Sequence, residues 1–268
     1  MSTLATLETV IGLEVHVQLN TKSKIFSSDN NDFGNQPNSD VGAITLAHPG
    51  TLPMVSKEVI DMGMKLGIAL EGTISRNLIF DRKNYFYPDL PKGYQITQDA
   101  TPICEGGVVK ISSDDCPHFD VKLTKIHLEE DAGKSILVKN SDFTNLDLNR
   151  SGVPLLEIVT EPMIASSEQA GLCLIELRKL VRYLGISDGN MERGSLRCDA
   201  NISLRLYGAT LGSKVEIKNM NSIKNVRKAI EHEIQRQTKM IVAGQAIVSE
   251  TRTYNACLLY TSPSPRDS

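Results

Sequence analysis

Four separated segments of the chain alternate apolar and polar residues with a period of two. They are Ile11-Gly12-Leu13-Glu14-Val15-His16-Val17-Gln18-Leu19, Lys125-Ile126-His127-Leu128-Glu129-Glu130-Asp131, Leu196 to Leu206, and Lys214-Val215-Glu216-Ile217-Lys218-Asn219. That period is the one of a half-buried β-strand, in which every second side chain leaves the same face. A solvated strand face is usually a mixture of Lys, Glu, Thr and Ser. Here the polar positions hold Glu, Asp, His, Asn and Arg, which are metal ligands and phosphate clamps. The pattern therefore predicts one sheet with an apolar face for a core and a polar face suited to Mg²⁺ and phosphate.

The rest of the chain predicts where helices cover that sheet. Ser56 reads as an N-cap ahead of an apolar stripe of Val59, Ile60, Leu66 and Leu70. Ser166-Ser167-Glu168-Gln169 is a capping-box pattern opening a helix through Leu172, Leu177, Leu180 and Leu184, stopped by Gly185. A third helix is expected from Ser222 to about Met240, with Ile223, Val226, Ile230 and Ile234 inward. Antiparallel-looking strands with three helices give an α+β class and not a doubly wound sheet. Residues 27 to 53 and 81 to 98 read as loops, and no internal repeat is present.

Composition narrows the functional classes. A chain of 268 residues with 40% apolar and 23% charged residues is that of a globular protein. No apolar run reaches the ~18 to 20 residues of a membrane span, and the first residues lack a signal peptide's basic and apolar regions. The five cysteines, at 104, 116, 173, 198 and 257, form no C-x-x-C pair. A reducing cytosol is expected, without disulfides. The net charge of −3 gives no overall electrostatic footprint for nucleic acid.

Several constellations carry chemistry on these faces. Glu14 and His16 share one strand face, and His127, Glu129 and Asp131 repeat the spacing on another. Three consecutive acids, Glu129-Glu130-Asp131, repel one another unless a cation lies between them. Mg²⁺ suits oxygen ligands of this kind. Arg197, Asp199, Asn201, Ser203 and Arg205 share a third face, where guanidinium forks match phosphate oxygens. Glu216 stands between Lys214 and Lys218. A solvated strand face or a cross-strand ladder of ion pairs explains each segment taken alone. Asp131-Ala132-Gly133-Lys134-Ser135 lacks the earlier glycine of a P-loop and reads as a turn carrying a lysine. Tyr85, Phe86, Tyr87 and Tyr94 fit either a base-stacking surface or an aromatic mini-core. Spacing alone leaves a nuclease, a ligase or a kinase open.

Longer runs carry a family likeness. They are Ile11–His16, Asp81-Arg-Lys-Asn-Tyr-Phe-Tyr-Pro88, His127–Ser135, Asp147-Leu-Asn-Arg-Ser-Gly-Val-Pro-Leu-Leu-Glu-Ile158, Gly194–Ser203 and Glu216-Ile-Lys-Asn-Met-Asn221. Over about residues 8 to 254 the chain resembles the bacterial B-subunit family of aspartyl/glutamyl-tRNA amidotransferases. The resemblance implies an antiparallel cradle similar to the glutamine synthetase and guanidino kinase fold. It implies a cytoplasmic heterotrimer in which this chain joins the A and C subunits. The B subunit would use ATP and Mg²⁺ to phosphorylate the side-chain carboxylate of Glu on tRNA(Gln) or Asp on tRNA(Asn), and the A subunit would supply ammonia from glutamine.

On that reading Glu14, His16, Glu129, Asp199 and Glu216 are the expected catalytic and metal-binding groups. Lys83, Arg197, Asn201 and Lys218 are expected to bind the nucleotide, with Glu157 and Glu161 as secondary acids. Many relatives carry cysteines in the loop near residues 26 to 46. This loop has none, so no zinc is expected. Residues 1–255 are expected to form the cradle, incomplete at its end, without the family's helical and tRNA-binding tail domains. Residues 256–268 have no amphipathic period and read as a disordered or foreign tail. A stand-alone carboxylate–amine ligase and an inactive scaffold are the competing readings.

Overall fold

A computed structural model of the chain describes residues 7–113, 116–138, 141–258 and 260–264. The elements begin with β1 (Leu7–Gln18), α1 (Lys57–Ala69), β2 (Thr73–Ile74), β3 (Asp81–Asn84), β4 (Tyr94–Thr97), β5 (Cys104–Glu105) and β6 (Val108–Ser113). They continue with β7 (Cys116–Glu130), β8 (Lys134–Leu137), β9 (Thr144–Asp147), β10 (Pro154–Thr160), α2 (Ser167–Tyr183) and β11 (Leu196–Leu206). The last are β12 (Val215–Met220), α3 (Ile223–Val242), β13 (Glu250–Asn255) and β14 (Tyr260–Pro263). The main sheet has the order β14-β13-β12-β11-β1-β10-β7-β5-β2, with β6 paired to β7. Two small hairpins, β3–β4 and β8–β9, stand apart from it.

The period-two pattern decides which way the sheet faces. On β1 the odd positions Ile11, Leu13, Val15 and Val17 are fully buried, and Glu14, His16 and Gln18 lie on the other side. The register carries this division across the neighbours: His16 pairs with Arg197 on β11 and with Glu157 on β10, and Glu157 pairs with His127 on β7. The apolar sides, including Leu128, Leu156, Ile158, Cys198 and Ile202, merge with residues of all three helices in one core. Burial of each such side chain contributes on the order of 1.5–3 kcal/mol, and one continuous core holds the polar face in register.

Local chemistry sets the helices. Ser166 accepts from the Gln169 N–H at 3.1 Å, and Gln169 Oε1 accepts from the Ala165 N–H at 2.9 Å, so the capping pattern operates as expected. Ser222 caps α3 by accepting from the Asn225 N–H. Ser56 holds the N-cap position of α1 but makes no side-chain cap. Gly63 and Gly67 are among the buried residues of α1. A Cβ on Gly63 would stand 2.7 Å from Ile103, and one on Gly67 would stand 2.6 Å from Ile74. Their lack of a side chain lets this helix lie close on β2 and the chain entering β5.

Three expectations need correction. Residues 81 to 98, expected as a loop, hold the hairpin β3–β4. The sheet is not wholly antiparallel, because β12 and β13 run parallel. The long α3 crosses between them and returns the chain to the same end of the sheet, which a short hairpin cannot do. Within the segment expected to be a disordered or foreign tail, Tyr260–Pro263 are ordered as strand β14 on β13. Asn255 Oδ1 accepts from the N–H groups of Cys257 and Leu258 and turns the chain back. The half-buried Arg252 then donates to Thr261 Oγ1 at 2.9 Å and to its carbonyl at 2.7 Å. Residues 259 and 265–268 of that segment lie outside the described residues. Among the described residues, no helix is long and apolar enough to cross a membrane.

Candidate active site

Three adjacent central strands bring two imidazoles and two carboxylates together. His16 Nε2 on β1 lies 3.4 Å from Glu129 Oε1 on β7 and 3.4 Å from Glu157 Oε2 on β10. His127 Nε2 lies 3.0 Å from Glu157 Oε2 and 3.8 Å from Glu129 Oε2. The carboxylates thus alternate with the imidazoles around a small ring. Burial pulls His127 down, but hydrogen bonds and charge from Glu129 and Glu157 outweigh it and push the imidazole up to about 9. Burial likewise opposes His16, and its contact with Glu157 and the charge of Glu129 raise it above its ordinary value. Burial acts to raise Glu157, yet both histidines together hold it well below the usual carboxylate range.

The donor set suits a cation. Among the described residues, His16, Glu129 and Glu157 are the group of three whose ligand atoms all lie within 4.8 Å of one another. One imidazole nitrogen and two carboxylates suit a divalent ion that keeps part of its water shell, as Mg²⁺ does, and also suit Mn²⁺. His127 is placed behind the two acids to orient them, the usual place of an outer partner. Its buried Nδ1 has no partner among the described residues.

The same face continues toward β12 with a looser row. Asn201 Nδ2 donates to Glu14 Oε1 at 2.8 Å. Glu216 accepts from the Thr251 hydroxyl at 2.8 Å and lies 3.5 Å from Lys218 Nζ. Lys218 also lies 3.9 Å from Asp199. Burial pushes the Asp199 carboxyl up to about 6, against the pull of His16 and Lys218 and with the push of Glu216 and Glu14.

A cavity of about 510 Å³ adjoins this row, lined by Gln18, Lys134, Arg150, Arg193, Arg197 and Asp199 among others. Its lining carries four cations, Lys134, Arg150, Arg193 and Arg197, and four acids, Asp32, Asp147, Glu192 and Asp199, so it offers both phosphate-binding and cation-binding side chains. Arg197 is anchored to Asp131 at 2.8 Å and 3.4 Å, and its buried Nε has no partner among the described residues. Burial works against its charge, and Asp131 more than restores it. Arg150 donates to the carbonyls of Ala132 and Gly133 and lies 3.6 Å from Asp131.

The sequence-predicted residues therefore separate. His16 and Glu129 meet in the ring, together with Glu157, which was only a secondary acid. Glu14, Asp199, Glu216, Asn201 and Lys218 form the outer row. Arg197 lines the cavity, whereas Lys83 sits exposed on hairpin β3–β4 and does not line it. Glu161 accepts from the Thr124 hydroxyl on an exposed stretch apart from the ring. His127 and Arg150 were absent from the expected site set. The signal for Glu157 is its place as the one charge in Pro154-Leu-Leu-Glu-Ile-Val-Thr160, since a charge inside a buried strand needs a partner.

Comparison with known proteins matches residues 9–264 to the family described as the GatB/GatE catalytic domain. A relative from Chlorobium limicola, named as the B subunit of aspartyl/glutamyl-tRNA(Asn/Gln) amidotransferase, is 54% identical over 251 residues, covering 93% of this chain and 52% of the relative. Proteins of the same name from Chlorobaculum tepidum and Rickettsia typhi are 53% and 48% identical, covering 95% and 92% of this chain and 53% and 51% of the relatives. The chain spans about half the length of the curated relatives it matches.

Proposed function

This chain belongs to the GatB/GatE catalytic-domain family, and from that premise we propose that it is the carboxylate-activating part of a tRNA-dependent amidotransferase. Its substrates are ATP and the side-chain carboxylate of Glu on tRNA(Gln) or Asp on tRNA(Asn). A carboxylate oxygen attacks the γ-phosphorus of ATP, the bond to ADP breaks, and an acyl phosphate results. Ammonia, released from glutamine by the A subunit, then attacks the acyl carbon. Inorganic phosphate leaves and the amide remains. The C subunit completes the assembly, and the cradle is of the glutamine synthetase and guanidino kinase type.

The observation that carries this reading is the His16, Glu129 and Glu157 donor set near a cavity whose lining includes Lys134, Arg150 and Arg197. These three side chains would hold Mg²⁺, which when bound neutralises phosphate charge. Phosphoryl transfer asks a protein for positioning and charge, not for a nucleophile of its own. Arg197, Arg150 and Lys134 present that charge to phosphate oxygens in the cavity. Asp131 fixes the Arg197 fork, and His127 holds Glu129 and Glu157 in orientation. Glu14, Asp199 and Glu216 extend the carboxylate row, and Asn201 and Lys218 sit beside them to meet the nucleotide.

The test is amide formation by a complex restored with the A and C subunits and the remainder of the B subunit. It is supplied with glutamine, ATP, Mg²⁺ and each mischarged tRNA in turn. Glu129→Gln is expected to abolish ATP-dependent amide formation. Amide formed by that variant at the unaltered rate would refute the assignment. Supplying free Glu or Asp in place of the charged tRNA separates this reading from a stand-alone ligase.

A further inference from the structure

The run Glu129-Glu130-Asp131 reads in the sequence as three acids that repel one another unless a single cation gathers them. The structure sends each to a different partner. Glu129 faces His16 and His127 in the ring. Glu130 is buried and takes Lys92 Nζ at 2.5 Å and the Ile96 N–H at 2.9 Å. Asp131 takes Arg197, with Nη2 at 2.8 Å and Nη1 at 3.4 Å. Among the described residues, that is the ion pair Arg197 makes.

Arg197 has to reach across the sheet to make it. On β11 Arg197 pairs with His16 of β1, His16 pairs with Glu157 of β10, and Glu157 pairs with His127 of β7. The side chain therefore starts in the same cross-strand row as the ring. Its guanidinium nevertheless ends on Asp131, the residue after the last one of β7, with β1 and β10 standing between the two strands. Other acids compete for it. After Asp131, Glu129 and Asp199 are the charges that act on the guanidinium. What wins is an anchor that cannot move. Asp131 is buried, its N–H donates to the Val153 carbonyl at 2.8 Å, and its carbonyl accepts from the Gly152 N–H at 2.9 Å. Its Oδ1 also accepts from the Ala132 N–H at 3.0 Å. Arg150, 3.6 Å away, braces the same turn through the carbonyls of Ala132 and Gly133. A guanidinium on a long side chain released from such an anchor pairs with the nearest open carboxylate.

We infer that Asp131 is a positioning residue that holds the Arg197 guanidinium off Glu129, so that Glu129 stays available to a metal and the guanidinium to phosphate. Once Asp131 loses its charge, the guanidinium swings onto Glu129 and competes with the metal for the same oxygens. Two residues on one stretch of chain thus keep two cationic tasks apart. The inference rests on the function proposed above, which puts the metal at Glu129 and phosphate at Arg197, and adds the device that stops the two from cancelling.

The experiment is a double-mutant cycle on the full chain, with Mn²⁺ binding followed by electron paramagnetic resonance and MgATP binding by titration calorimetry. Asp131→Asn keeps an oxygen for the Ala132 N–H and removes the charge. It is expected to weaken Mn²⁺ binding about 10-fold or more. Asp131→Ser, with the same expectation, serves if Asp131→Asn does not fold. Asp131→Glu keeps the charge and is expected to keep Mn²⁺ binding. Arg197→Gln alone is expected to stay within about 3-fold of the unaltered chain, and Asp131→Asn with Arg197→Gln is expected to return to that level. MgATP binding is expected to fall about 10-fold in both single variants and to stay low in the double. A merely structural Asp131 gives a Mn²⁺ loss that the second substitution cannot repair. A simple effect of net charge gives additive changes, with Arg197→Gln alone tightening Mn²⁺ as much as Asp131→Asn loosens it. Either result, or MgATP bound by Asp131→Asn as tightly as by the unaltered chain, overturns the inference. If the unaltered chain binds no Mn²⁺, the ring fails as a metal site and the inference falls with it. If Mn²⁺ binds, is lost in Glu157→Gln, and the cycle is additive, the inference falls alone.

Discussion

The ring at the sheet centre and the row toward β12 are built from the same residue types on the same face, yet they are in different electrostatic states. In the ring, Glu129 and Glu157 face the imidazoles of His16 and His127, and those contacts raise both histidines and lower Glu157. In the row, Glu14 is engaged by an amide and Glu216 by a hydroxyl and a lysine. A metal entering the ring takes up carboxylates whose contacts are with imidazoles, whereas one entering the row has to displace hydrogen bonds with an amide and a hydroxyl. Proximity of acids is thus a weaker guide to a metal site than the identity of their partners.

The largest effect separating the two sets is on chemistry. Glu157→Gln in the restored complex is expected to lower ATP-dependent amide formation by about 10²–10³-fold, the range for losing an electrostatic group at a reacting centre. Retention of full activity would erase the distinction. Next comes the core that the two sets share. Leu13 is fully buried on the opposite face of β1, so Leu13→Ala is expected to cost about 3 kcal/mol in urea unfolding. A cost under about 1 kcal/mol would mean that the face assignment is wrong.

Lys24 gives a third contrast, because its charge is buried without the pairing that the ring enjoys. Its Nζ has no hydrogen-bond partner among the described residues. Burial lowers the ammonium to about 8, despite Asp29, Asp40 and Asp147 and with the repulsion of Lys92. Because the folded value lies below the ordinary 10.5, the unfolded chain binds the extra proton between them. Stability therefore rises from pH 8 to 10.5 through this group and is flat below pH 8. Lys24→Met is expected to gain about 2 kcal/mol at pH 7 and to lose that rise in parallel melts of the two proteins. The smallest expected effect is in the row itself, where Glu216→Gln lowers amide formation less than about 10-fold.

Much of the fold was legible because alternation fixes faces. Every odd residue from Ile11 to Val17 went to the core, the capping signal at Ser166 placed one helix start, and the apolar stripe after Ser222 placed another. The parallel step from β12 to β13 was not legible, because strand direction depends on where α3 delivers the chain and not on any residue in either strand. Strand β14 escaped for a related reason, since it is held by Arg252 and by pairing, without an apolar period of its own. In the site, His16 and Glu129 were readable from spacing. The place of Glu157 was not, because it follows from cross-strand register: β10 inserts between β1 and β7 and sets this carboxylate opposite both His16 and His127.

The most direct measurement is metal binding itself, with Mn²⁺ standing in for Mg²⁺ and followed by electron paramagnetic resonance on the full chain. The unaltered protein and Glu216→Gln are expected to bind the ion with similar affinity, and Glu157→Gln is expected to lose it. Binding kept by Glu157→Gln and lost by Glu216→Gln would place the metal in the outer row and contradict the assignment to the ring.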